Sequence, residues 1–226
     1  MLTLGDYVTR LQRQIEEMQA RTAVPDYQNA VTPQRKILLH FLNRTQQLAE
    51  AAVLMANARL GTPLFVLARV LCEDLFIAAW VSVSEENALA HEADVNSDVV
   101  RIMQVMVEKG LAKIPHKATG EDHTAEILPQ MKQWKTGRKP IEQIAIGLGL
   151  GRAYDLVYRS ASIEVHGKTY GLPSSTNEEG LLGALSMIAL LIKAICLVVD
   201  TDILRNTSAP AGEILRVLDL AEIGGR

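Results

Sequence analysis

The stretch from Leu181 to Val199 is apolar almost without interruption, and it limits the possible folds more than any other part of the chain. Its length approaches that of a membrane span. However, Lys193 lies inside it, and the flanks Glu178, Glu179, Asp200 and Asp202 are acidic, without the basic anchor expected on a cytoplasmic side. The stretch therefore reads as a core helix of a soluble protein, and a helix that apolar must be covered by other helices.

The rest of the chain supplies the cover. Ile37, Leu38, Phe41, Leu48, Ala52 and Met55 recur at helical spacing in a helix over 34–60, which Gly61 stops, with Thr62-Pro63 starting the next. The segment 64–83 is nearly all apolar and reads as a second core helix. Helices near 141–170 and 178–205 complete the set, and a helix over 95–111, after the polar stretch 84–94, packs against it. Tyr7, Leu11, Ile15 and Met18 mark a polar helix over 4–22, placed at the surface or against a partner, followed by a linker broken by Pro25 and Pro33. No period-two pattern appears. The expectation is an all-α fold, a bundle of about five core helices with extra N- and C-terminal helices. Its parts are an N-terminal helix and linker (1–33), the bundle (34–206) and a C-terminal helix (207–226).

Composition removes several function classes. A net charge of −3 argues against a wholesale nucleic-acid coat, and 4% aromatic residues are too few for a base-stacking platform. Cys72 and Cys196 sit in apolar runs and read as reduced core residues of a cytoplasmic protein. His116 and His123 lie in a polar loop with no cysteine and no repeated spacing, so neither a metal nor any other cofactor is expected. Gly147, Gly149 and Gly151 follow no strand and precede no phosphate-loop lysine, so they serve packing or a bend.

Chemistry concentrates between Tyr154 and Gly167. On a helix, Leu150, Tyr154, Val157, Tyr158, Ala161 and Val165 share one side, while Arg152, Asp155, Arg159, Ser162 and His166 share the other. Arg159 and His166 are seven residues apart, differing in direction by only about 20°. An arginine grips phosphate bidentately and a histidine titrates near ~6.5, so the seam carries a cation and a group able to move a proton near neutral pH. Asp155 and Ser162 are placed to orient them. The competing reading makes Asp155 and Arg159 an i, i+4 ion pair and His166 a helix-end residue. Arg69 and Glu73, four apart in an apolar helix, read as a mutually neutralising pair supporting the bundle or the site. Lys132, Trp134, Lys135, Arg138 and Lys139 form the one compact basic patch, suited to contacting RNA phosphates and stacking a base, or to a solvated turn.

Arg159 to His166, an arginine and a histidine with six residues between them on a late helix, resembles the motif of the HEPN superfamily. That resemblance implies a metal-independent endoribonuclease acting in toxin–antitoxin or phage-defence systems, as a homodimer whose two motifs face each other. Ser160 departs from the larger polar residue usual after the arginine. The layout of Arg69, Glu73 and the Tyr154–Gly167 pattern also resembles an uncharacterised bacterial all-helical family, over roughly residues 34–205. The alternative to a nuclease is a non-catalytic interaction module serving a cognate partner protein.

Overall fold

The computed structural model describes residues 2–29, 31–131, 139–165 and 177–220. Among these residues the secondary structure is helical, with one isolated bridge between Pro115 and Asp122, so the fold is all-α. The elements are α1 (Leu4–Thr22), α2 (Pro25–Gln28), α3 (Pro33–Asn57), α4 (Gly61–Val81), α5 (Glu85–Glu108), α6 (Thr124–Met131), α7 (Ile141–Gly147), α8 (Gly151–Ala153), a π-helical turn (Tyr154–Tyr158), α9 (Arg159–Val165), α10 (Glu178–Arg205) and α11 (Ala211–Val217). They fall into two compact units, residues 88–139 and the remainder.

The larger unit is built around α10. Asn177, in extended backbone, caps the helix by accepting from the Gly180 amide at 2.8 Å. The helix is long and apolar enough to cross a membrane. Here its buried residues, among them Leu185, Ile188, Leu191, Ile192, Ile195, Val198 and Val199, take up about two-thirds of its circumference. Lys193 is exposed on the remaining side. The cover comes from α1, α3 and α4.

Helix α1 keeps one side in solvent and packs the other against α3 and α10. Leu11 and Met18 are fully buried, and Gln14 Nε2 donates to the Ala189 carbonyl at 2.9 Å. Near its end, Arg21 pairs with Asp200 at 3.1 Å, and the Tyr27 hydroxyl donates to the same carboxylate. Tyr27 belongs to α2, so Pro25 begins a short helix within the expected linker, and Pro33 begins α3. Buried Leu38, Phe41, Leu42, Thr45, Ala49, Ala52 and Ala56 trace the inner stripe of α3. Its stop is Arg59, in left-handed backbone at φ 55°, and not Gly61, which already belongs to α4.

Helix α5 starts in the larger unit, continues into the smaller one, and includes most of the polar stretch 84–94, ten residues ahead of the expected start at Val95. Ser84 Oγ accepts from the Asn87 amide, and Glu85 and Glu86 sit in the first turn, where the helix dipole favours them. The loop before α6 is a hairpin-like turn. In it His116 and Glu121 share a backbone hydrogen bond, Gly120 takes φ 75°, and the rings of His116 and His123 lie 4.9 Å apart.

Between α3 and α4 lies a buried carboxylate. Arg44 Nε approaches Asp74 Oδ2 at 3.0 Å without directing a hydrogen bond at it. Burial pushes the Asp74 carboxyl up from 3.8 to about 6; Arg44 opposes the rise and neighbouring Glu73 adds to it. A folded value above the unfolded one makes ionised Asp74 a cost, fully present above about pH 6 and relieved as pH falls toward ~4. Relative to an Asp74→Asn variant, the wild type should therefore gain on the order of 1–2 kcal/mol between about pH 7 and about pH 4.5. Urea unfolding of both proteins at the two pH values checks this, and parallel pH dependence would contradict it.

Candidate functional site

The expected continuous helix from Ile141 is broken twice, and the breaks position the site. Helix α7 ends at Gly147, and Gly149 takes φ 75°, a conformation that costs an L side chain about 1 kcal/mol or more. A Cβ there would also stand 3.4 Å from that of Ala211. The chain restarts at Gly151 and at once widens into a π turn, in which the Arg159 amide donates to the Tyr154 carbonyl. Buried Leu150, Ala153, Val157 and Ala161 anchor this segment, and α4 packs against α7, the π turn and α9.

The inner half of the site is a four-residue network that joins α4 to Tyr158 at the end of the π turn and Ser162 of α9. Arg69 Nη2 lies 2.9 Å from Glu73 Oε1 and donates to the Tyr158 hydroxyl at 2.7 Å, while Arg69 Nε donates to Ser162 Oγ at 3.2 Å. The Tyr158 hydroxyl donates onward to Glu73 at 2.9 Å, and Ser162 Oγ donates to the Tyr158 carbonyl. Arg69 and Glu73 are each just over a quarter exposed, so both charges are largely withdrawn from water and answered by each other. Burial raises the Tyr158 phenol above its ordinary value; the Glu73 carboxylate adds to the rise and Arg69 opposes it. Tyr158 is therefore a neutral donor at physiological pH.

The outer half continues from the same tyrosine. The rings of Tyr158 and Tyr154 stack at 4.9 Å and 18°, and the Arg159 guanidinium stands 5.3 Å from the Tyr154 centroid. On the other side, the Arg69 guanidinium is 5.0 Å from the Tyr158 centroid. The order is thus arginine, tyrosine, tyrosine, arginine. Arg159 donates to Glu142 at 2.9 Å and pairs with Asp155 at 3.1 Å, and its side chain is 56% exposed. The Glu142 hydrogen bond, then Asp155, hold its guanidinium above its ordinary value, so it stays cationic. Exposed ion pairs of this kind contribute little stability, so the Arg159 contacts are open to exchange for a ligand anion.

The residues singled out from sequence fall into three groups. Arg69, Glu73 and Ser162 come together, which places Ser162 beside Arg69 at the edge of the buried face and not beside Arg159. Asp155 and Arg159 come together at the exposed end. His166, Lys132, Trp134, Lys135 and Arg138 lie outside the described residues, and Lys139 is exposed. Sequence reasoning missed Glu142, seventeen residues from Arg159, because only the turn at Gly149 folds α7 back within reach. It also gave Tyr154 and Tyr158 to the apolar side alone. The available signal was the phenol itself, since a part-buried tyrosine hydroxyl ordinarily finds a polar partner.

A family of unknown function (DUF5677) matches the chain over residues 35–180. That span contains all but the first two residues of α3, the whole of α4 and the whole of the network just described. No curated protein and no solved structure matches the chain.

Tyr158 both accepts from Arg69 and donates to Glu73, so Tyr158→Phe should destabilise the fold by about 1–3 kcal/mol. Chemical unfolding measures it. A variant as stable as wild type would mean that the hydroxyl is not needed to hold α9 on α4.

Proposed function

We propose that this chain, which belongs to the family of unknown function DUF5677, cleaves RNA without a metal, using Arg159 and His166. The observation that carries the reading is the state of Arg159: cationic, more than half exposed, and mounted on the outer end of a tyrosine stack whose inner end is locked to α4. A positioned guanidinium of this kind suits the phosphate of an RNA backbone. His166 enters from its place in the sequence, seven residues after Arg159. Such a histidine takes the proton from a ribose 2′-hydroxyl as that oxygen attacks the adjacent phosphorus, or returns one to the departing 5′-oxygen. Arg159 meets the charge that develops on the phosphate. Arg159 and His166 are separated by about 10.5 Å along an ideal helix, so the reading includes a composite site shared between two copies of the chain. Lys132, Trp134, Lys135, Arg138 and Lys139 are then the residues that draw in RNA.

One observation favours a second reading. Glu142 and Asp155 already neutralise Arg159. As an interaction module, the chain would present this charged cluster to a cognate partner protein.

The two readings separate on Glu142. RNA must displace this carboxylate to reach Arg159, so Glu142→Gln should raise RNA cleavage several-fold. Arg159→Ala and His166→Ala should each lower it by ~10²-fold or more. The assay incubates purified proteins with mixed RNAs in EDTA over a range of pH. Absence of cleavage by wild type and Glu142→Gln alike would overturn the nuclease reading. Equal cleavage by wild type and His166→Ala would remove His166 from it.

A further inference from the structure

We propose that α5 is a dimerisation helix that pairs antiparallel with α5 of a second copy of the chain; this stands independently of the RNA-cleaving reading. Along its 24 residues α5 buries only Ala88 and Val107, and α6, in the same unit, buries none. An isolated helix gains most of its stability in a protein by covering an apolar face. Among the described residues, the face of α5 is open. Val95, Val99, Ile102 and Met106 are 49%, 54%, 58% and 37% exposed. Their spacings of four, three and four residues gather them within about 60° of the helix circumference, as in a two-helix seam.

Charge selects the occupant and its direction. The same spacing extends to Glu92 before the stripe and Lys109 after it, both exposed. In an antiparallel pair centred between residues 100 and 101, Val95 meets Met106 of the second copy and Val99 meets its Ile102. Glu92 then meets the second copy's Lys109 at both ends, so the seam closes with two ion pairs. A parallel pair would set Glu92 against Glu92 and Lys109 against Lys109. Antiparallel pairing also satisfies the two-fold rule that a surface of this sort be self-complementary.

Sedimentation of the full chain should give a dimer, and Val99→Glu combined with Ile102→Glu should give a monomer with unchanged helical circular dichroism. Glu92→Lys should weaken the dimer, and adding Lys109→Glu should restore it. A second measurement does not depend on those variants folding. Val95→Cys mixed with Met106→Cys should form a disulfide-linked dimer under mild oxidation. Neither should do so alone, since identical positions would be about 16 Å apart along the axis. A monomeric wild type, a dimer that survives the double glutamate variant, or crosslinking of Val95→Cys to itself would each overturn the proposal.

Discussion

A helix as apolar as α10 must be kept from water, and the larger unit is arranged by that requirement. Each Å² of apolar surface removed from water contributes roughly 25 cal/mol, and α10 and its neighbour α4 supply most of the buried residues. The requirement draws α1, α3 and α4 around one helix and leaves only the side bearing Lys193 open. Both carboxylates near the end of the same helix meet partners. Asp200 takes Arg21 and Tyr27, and Asp202 accepts from Gln34 at 2.6 Å.

The burial of α4 against α10 has a consequence on its other side. Arg69 and Glu73 are carried into a largely dry position, where an ion pair is stabilising only if its remaining hydrogen-bonding capacity is also met. Tyr158 and Ser162 meet it, and in doing so they fix α9. The π turn sits within this arrangement, and π turns recur at functional sites. Through the stacked tyrosines, the locked Arg69 is connected to the exposed Arg159. One arginine belongs to the fold, and the other is presented by it.

Much of this was legible because it depends on local spacing. The Arg69–Glu73 and Asp155–Arg159 pairs follow from four-residue separation on a helix, the α3 core follows from helical periodicity, and those of α4 and α10 follow from long apolar runs. What was not legible depends on departures from that periodicity. Ser162 lies about 60° from Arg159 and about 40° from Tyr158 around the helix, on the boundary between the two sides, and a two-sided division placed it with Arg159. The left-handed residue that ends α3 is an arginine, which propensity does not anticipate, and α5 starts ten residues before the expected Val95, in a polar stretch that includes four acids. Helix α1 was judged by its many polar residues, although two fully buried side chains, Leu11 and Met18, are enough to seat it. Glu142 reaches Arg159 only through tertiary folding.

The central claim is the division of labour between the two arginines. It is tested most directly by measuring melting temperature and RNA affinity on the same preparations of Arg69→Ala and Arg159→Ala. Arg69→Ala leaves Glu73 without its cation and should lower the melting temperature by several degrees, in line with the loss of a largely buried pair. Arg159→Ala should leave the melting temperature near that of wild type and weaken RNA binding at least tenfold. Equal melting temperatures for the two variants, or RNA binding untouched by Arg159→Ala, would contradict it.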